Sequence, residues 1–90
     1  LDLSSRHRAA ETRVWIVQSL ATTAPPVVID FDGVRTVSHS FADELLAVLI
    51  EQQGEEWFRL HVQVVNLLPH IRSTILEAIQ HRLESHTSPT

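Results

Sequence analysis

The segment that most constrains the fold covers residues 27–49, VVIDFDGVRTVSHSFADELLAVL. Its β-branched, apolar start predicts a strand over Val27–Phe31, covered on both faces. Gly33 supplies a turn after the strand, and a polar loop leads into an apolar helix that begins at a serine. Because sites in open α/β sheets form outside the carboxyl ends of strands, we expect the functional site in this loop.

Two helices are predicted around that strand. The first covers Ser4–Ala21, can be capped by Ser4 or Ser5, and has an inner face at helical spacing, made by Ala10, Val14, Val17 and Ala21. The second begins at Ser38 or Ser40 and runs to Gln53. It ends at Gly54, a residue type favoured just after a helix.

A second strand is predicted over Leu60–Leu67, and Pro69 begins a last helix. The inner face of that helix is predicted from Ile71, Ile75, Leu76, Ile79 and Leu83. The order is therefore α-β-α-β-α, an α/β fold. Strands joined through a helix are expected to be parallel.

Composition limits the class of protein. Ninety residues with a 43% apolar fraction indicate one globular domain, with a polar, frayed tail over residues 85–90. A net charge of −4 argues against non-specific nucleic-acid binding, and no apolar run is long enough to span a membrane. The absence of cysteine excludes disulfides and thiolate chemistry and fits the cytoplasmic location that we expect.

Residues 28–34, VIDFDGV, resemble the first motif of haloacid-dehalogenase-type phosphatases. That resemblance implies that Asp30 is the nucleophile, Asp32 the acid/base, and that both help to hold magnesium. The family also needs a later basic residue and an acidic residue after a further strand. This chain has no lysine, and the loop after its second strand, which begins at Asn66, contains no carboxylate. The acids further downstream, Glu77 and Glu84, lie on a predicted helix. The phosphatase is therefore an alternative hypothesis, and we expect no catalytic residue, metal or cofactor.

A longer signature covers most of the chain. From Leu1 to about Glu84 the sequence resembles the STAS superfamily, which includes the bacterial anti-anti-sigma factors, without the first strands of a full domain. It is most similar to small STAS-like domains of unknown function with an apolar strand, D-F-x-G-V, a short loop and S-F-A-D-E. The matching residues here are Asp30, Phe31, Gly33, Val34, Ser40, Phe41, Ala42, Asp43 and Glu44.

The resemblance implies a non-enzymatic regulator that acts by protein–protein contact. Its partner would be a histidine-kinase-like ATPase or a sigma or anti-sigma component. In anti-anti-sigma factors the loop contains roughly D-S-S-G, and its second serine is phosphorylated. Aligned from Gly33, that serine is Ser40, but the other three positions hold Ser38, His39 and Phe41. Partner binding is therefore better supported than phosphorylation.

The candidate site follows from these observations. Ser40 is the candidate phosphate acceptor, or a helix cap in a capping box with Asp43. Asp30 is expected to organise the loop by accepting backbone hydrogen bonds, with Asp32 and Gly33 in the turn. Trp15 lies opposite the apolar stripe of the first helix and is a candidate interface anchor. The predicted partner-binding residues are Trp15, Arg35, Ser38, His39, Ser40, Phe41 and Asp43.

Two features predict assembly. Two strands alone leave both edges of the sheet open. The second helix is apolar nearly all round, with Phe41, Leu45, Val48 and Leu49 on one side and Leu46 and Ile50 on another. These features predict a homo-oligomer or an obligate complex. They also leave open a third hypothesis, a structural subunit that assembles through its sheet edges.

Overall fold

Two pairs of parallel strands organise the fold. A computed structural model describes residues 2–22 and 24–87. Strand β1 (Asp2–Leu3) pairs with β3 (Thr36–Val37), and β2 (Val27–Asp30) pairs with β4 (Val62–Val65). The register of the longer pair aligns Val27 with Val62 and Asp30 with Val65. The predicted parallel pairing of these two segments is confirmed.

The described residues also form five α-helices and one π-helical turn. They are α1 (Arg6–Ser19), α2 (His39–Ala42), the π turn (Asp43–Ala47), α3 (Val48–Gln53), α4 (Glu55–His61) and α5 (Pro69–Thr87). The segments α2, π turn and α3 form one continuous helix over residues 39–53, called here the central helix. Within the described ranges, no helix combines the length and hydropathy that a membrane crossing demands.

The α-β-α-β-α order is right for the main elements but incomplete. Strands β1 and β3 were not predicted, because two residues carry no periodic pattern. The predicted strand over Leu60–Leu67 begins too early, since Leu60 and His61 end α4. Acidic residues in the first turn of α4 and basic residues in its last turn favour that helix over an extended chain. At the carboxyl end, α5 continues past Ser85 to Thr87, and residues 88–90 lie outside the described residues.

The central helix forms the middle of the core. Its leucines Leu45, Leu46 and Leu49 are fully buried, together with Ile16 of α1 and Ile71 of α5. Each such side chain contributes about 1.5–3 kcal/mol by leaving water. Both apolar sides of the central helix are therefore covered within the chain, and the prediction that its second side requires a partner is wrong.

Helix α1 faces the core with a different stripe from the one predicted, whereas α5 differs at one position. In α1 the buried residues are Ala9 and Ile16, whereas Val14 is 50% exposed and Val17 is also exposed. The face is turned because Arg13 points inward to an acidic residue of the central helix. In α5 the predicted face is confirmed at Ile71 and Ile75, which are buried, and at Ile79, which packs against the core, but Leu76 is exposed and Ala78 is buried instead.

One side of the β2–β4 sheet is open to solvent in this chain. Its inner side is made by Val27, Ile29, Val62 and Val64, which are buried or packed against the core. On the outer side Val28 is 53% exposed and Asp30 is exposed. The prediction that this strand is covered on both faces is wrong for the chain alone.

Candidate interaction site at the start of the central helix

Asp30 organises the turn at the carboxyl end of β2. Its Oδ1 accepts a hydrogen bond from the Asn66 side-chain amide at 2.9 Å and one from the Asp32 backbone N–H at 2.8 Å. These bonds, the Asn66 bond foremost, hold the pKa of Asp30 below its usual value. Asn66 adopts φ 59° and Gly33 φ 81°, which are left-handed conformations that asparagine and glycine tolerate. The two strand ends are thus tied together by side chains.

The same corner differs from a phosphatase metal site in its ligands. An amide, not a carboxylate, faces Asp30 across the strand ends. Among residues 2–22 and 24–87, no group of three or more histidine and acidic side chains lies close enough to share a metal ion. The hydrogen bonds from Asn66 and Asp32 to Asp30 hold the shape of the loop.

Ser38 begins the central helix and joins it to the start of α1. Its Oγ accepts the Phe41 N–H at 3.0 Å, and its hydroxyl donates to the Ser4 carbonyl at 3.3 Å. Its own N–H donates to the Leu3 carbonyl at 2.8 Å. The predicted alternative, Ser40 as the cap in a capping box with Asp43, is wrong, because Ser38 is the N-cap and the first helical residue is His39.

Three of the predicted partner-binding residues in this region are exposed, namely Arg35, His39 and Ser40, which are called here the loop surface. The Arg35 carbonyl accepts a hydrogen bond from His70 Nε2 at 2.6 Å, and the residue is exposed. His39 Nε2 lies 3.3 Å from His81 Nδ1 of α5. Within the described ranges the Ser40 hydroxyl has no hydrogen-bond partner. The Ser38 side chain thus holds the start of the helix, whereas the Ser40 hydroxyl is exposed to solvent.

Two predicted partner-binding residues are not on this surface. Phe41 is 5% exposed and packs in the hydrophobic core. Asp43 is 7% exposed, and both of its carboxylate oxygens are bound to arginines. Asp43 can point inward because Arg6 and Arg82 compensate its charge there, which offsets part of the usual penalty for burial. Both assignments are therefore corrected from surface to interior.

Asp43 belongs to a cluster of three arginines and three acids, called here the charge cluster: Arg6, Arg13, Arg82, Asp43, Glu44 and Glu51. Arg82 binds both oxygens of Asp43 at 2.7 Å and Glu51 at 3.2 Å. Arg6 Nη1 lies 3.0 Å from one oxygen of each of Asp43 and Glu44.

Arg13 completes the charge cluster. It binds the Glu44 carboxylate and the Glu44 carbonyl oxygen. The cluster joins α1, the central helix and α5 through pairs separated by 31 to 39 residues. The sequence analysis missed it; the available signal was an acidic pair inside an otherwise apolar helix, in a chain whose seven cations are all arginine.

The arginines favour the ionised forms of Asp43 and Glu44, called here the acidic pair. The Arg82 guanidinium, more than any other group, holds the pKa of Asp43 below its usual value, against the opposing effect of burial. Arg13 does the same for the pKa of Glu44. In return, Asp43 raises the pKa of Arg82, and Glu44 with Asp43 raises the pKa of Arg6. These shifts favour the charged forms of Asp43, Glu44, Arg6 and Arg82 at neutral pH.

The π turn gives the charge cluster its geometry. Asp43 and Glu51 both reach Arg82 although they are eight residues apart. In a regular α-helix, at about 100° per residue, they would point about 80° away from each other. A π turn takes up one extra residue, so these two positions come into line as residues seven apart would in an α-helix. Such turns often occur at functional sites.

Trp15 borders a groove beside the start of the central helix. Trp15 is 61% exposed and lies on the outer face of α1, as predicted from the sequence. The groove has a volume of about 380 Å³ and is lined by Leu3, Arg8, Glu11, Thr12, Trp15 and Phe41. The structure thus brings together Trp15 and one edge of Phe41. Arg35 and the Asp30 turn do not line this groove.

Comparison with known proteins decides the family. A model of the STAS-like domain of unknown function (DUF4325) matches residues 16–72, more than half of the 90-residue chain. The chain belongs to this STAS-like family. No curated protein and no solved structure matches it. The STAS-like match includes the Asp30 turn, the loop surface and the whole central helix, whereas Arg6, Arg13 and Arg82 lie outside the matched range.

Proposed function

We propose that this STAS-like chain is a non-enzymatic regulatory module that binds a protein partner through the loop surface and is controlled by phosphorylation of Ser40. The observation that carries the proposal is the contrast between its two serines. Ser38 uses its hydroxyl to hold the helix start, whereas the Ser40 hydroxyl is exposed and has no partner within the described residues.

The position of Ser40 suits a reversible charge. A phosphate adds nearly two negative charges at pH 7. In the first turn of a 15-residue helical segment it meets backbone N–H groups with a partial positive charge, which favours a negative group there. The fold should therefore accept the modification, while a partner seated on the loop surface would meet a changed charge.

The resemblance to anti-anti-sigma factors suggests the partner. We propose a histidine-kinase-like ATPase or a sigma or anti-sigma component, and the protein encoded by the neighbouring open reading frame is the first to test. The loop surface offers this partner one guanidinium, one imidazole and one hydroxyl, from Arg35, His39 and Ser40. Trp15 and its groove offer a second, apolar contact on α1.

Titration of that partner with Ser40→Asp tests the proposal. Asp at this position preserves helix formation, so the melting temperature should stay close to that of the parent while affinity falls about tenfold or more. Ser73→Asp, an equal charge change at an exposed serine of α5, is the matched control and should bind like the parent. Equal affinity of Ser40→Asp and the parent would refute control through Ser40.

The phosphatase hypothesis has its own test. Turnover of an aryl phosphate in the presence of Mg²⁺, abolished by Asp30→Asn, would overturn a non-enzymatic function. We expect no turnover by the parent or by Asp30→Asn, because the side chain that faces Asp30 across the strand ends is the Asn66 amide and not a second carboxylate. Equal turnover by the two proteins would indicate a contaminating phosphatase.

A further inference from the structure

Arg6 is the arginine that the charge cluster can release most easily. Asp43 is also held by two hydrogen bonds from Arg82, and Glu44 is also held by Arg13. Arg6 contributes one nitrogen shared between the two acids at 3.0 Å each. Its side chain is 48% exposed, against 14% for Arg13 and 28% for Arg82. Each acid therefore keeps a closer, less exposed arginine if Arg6 moves away.

Ser40 lies on the same side of the helix as the acids that Arg6 binds. It precedes Asp43 by three residues and Glu44 by four, and the helix is α-helical through Ala42. Side chains at these spacings are neighbours, with Cβ atoms about 5–6 Å apart. Ser40 and Arg6 are both exposed. The contact between Ser38 and the Ser4 carbonyl keeps the start of α1 beside this turn.

We propose that Arg6 is the intramolecular binding residue for a phosphate on Ser40. The proposal rests on the proposed function, because it takes Ser40 as the residue that is phosphorylated. The phosphate repels Asp43 and Glu44 and attracts the one cluster arginine that is both exposed and redundant. Arg6 then leaves the acidic pair and binds the phosphate oxygens in the forked geometry that guanidinium groups form with phosphate.

This exchange changes the surface that a partner meets. Before phosphorylation, Arg6 faces the acidic pair and is partly neutralised by it. Afterwards the first residue of α1 is joined to the loop surface, and part of the phosphate charge is satisfied within the chain. The modification therefore acts on two helices, through one side chain, and no refolding of the central helix is needed.

The titration of the phosphate itself provides the test. Phosphoserine is installed at position 40 by genetic encoding or chemical ligation, and its ³¹P resonance is followed against pH. The second ionisation of phosphoserine has a pKa of about 6, and a bound cation lowers it. We expect the midpoint to lie about half a pH unit lower in the parent than in Arg6→Gln. The same midpoint in both proteins would overturn the proposal.

Arg8→Gln is the matched control. Arg8 lies in the same turn of α1, carries the same charge and is exposed, but it forms no ion pair within the described residues. Its replacement should leave the phosphate midpoint at the parent value. A shift as large as that of Arg6→Gln would show a general charge effect and would contradict a specific contact.

A second measurement needs no substitution of Arg6. The Nε–H resonance of Arg6, followed by ¹⁵N–¹H correlation spectra of the otherwise unmutated chain, should move when Ser40 carries phosphate, while that of Arg8 stays in place. An unmoved Arg6 signal overturns the proposal even if Arg6→Gln fails to fold. Neither measurement involves a partner, so a failure of Ser40→Asp to weaken partner binding refutes the proposed function separately.

Discussion

Arg82 binds Asp43 through two parallel hydrogen bonds, Nε to Oδ1 and Nη2 to Oδ2, each 2.7 Å long. The two residues are 39 positions apart and join α5 to the π turn of the central helix. Charge-assisted bonds of this forked kind are about twice as strong as bonds between neutral groups. The pair is thus an anchor that holds the last helix in place.

Asp43→Asn should lower the free energy of unfolding by about 1.5–3 kcal/mol. The amide keeps the size of the side chain but removes its charge and one acceptor, so Arg82 and Arg6 lose part of their compensation. Urea denaturation measures the change. Glu11→Gln, at an exposed acid whose one ion-pair partner among the described residues is His7, is the control and should cost less than about 0.5 kcal/mol. Equal effects of the two changes would contradict a buried anchor.

The acidic pair should make stability depend on pH in the acid range. The folded-state pKa values of Asp43 and Glu44 are lowered. These two groups therefore contribute their full stabilisation of the fold above their unfolded-state pKa values of about 4. It is lost as the pH falls from there through the folded-state values. Melting temperatures should therefore be nearly constant between about pH 7 and 5 and fall steeply below about 4.

The variant Asp43→Asn/Glu44→Gln isolates the source of that acid sensitivity. It should melt lower at neutral pH and show a shallower fall below pH 4 than the parent does. Thermal melts across the same buffers compare the two proteins. If both curves fall in parallel, the acid sensitivity comes from other carboxylates.

The two serines of the loop should differ in stability. Ser38→Ala removes the side-chain acceptor of the Phe41 N–H and should cost about 1 kcal/mol. Ser40→Ala removes no hydrogen bond within the described residues and should change stability by less than about 0.5 kcal/mol. Chemical denaturation of both variants gives the comparison. The reverse order would mean that the helix begins at Ser40.

Gly54→Ala should destabilise the chain by about 1–3 kcal/mol. Gly54 separates α3 from α4 with φ 99° and ψ 152°, a conformation that is almost restricted to glycine. No atom lies within 4 Å of an added Cβ, so the whole penalty comes from the backbone. Gln53→Ala, the preceding exposed residue, should be nearly neutral in the same denaturation experiment. A neutral Gly54→Ala would show that the backbone can relax.

Self-association is expected through α1. Val14 and Trp15 are 50% and 61% exposed on this helix, and the outer side of the β2–β4 sheet is open. Large exposed apolar side chains, tryptophan above all, are candidate interface anchors. Sedimentation at micromolar concentration should show species larger than a monomer, and Trp15→Ser should shift the distribution toward the monomer. A monomeric parent with a cooperative melt would refute this expectation.

The main elements could be predicted because their patterns are long. Val27–Asp30 and Val62–Val65 are β-branched, and the helices ending at Gly54 and beginning at Pro69 have clear boundary residues. The strands Asp2–Leu3 and Thr36–Val37 could not be predicted, since two residues form a strand only when the tertiary fold brings them together.

The candidate site shows the same division. A loop organised around Asp30 follows from local turn chemistry. The burial of Asp43 does not, because it depends on Arg6 and Arg82, which are 37 and 39 residues away in sequence. The choice between Ser38 and Ser40 as helix cap also depends on a distant group, the backbone of β1, which fixes where the helix begins.

The π turn over Asp43–Ala47 has a consequence for how the gene can change length. A single-codon deletion within it would restore a regular α-helix and leave Val48–Gln53 close to their present facing, because the π turn already accommodates one extra residue. Glu51 would stay in line with Asp43 on the side that faces Arg82. Related chains that align with a one-residue gap here should therefore be able to keep an arginine at the position of Arg82.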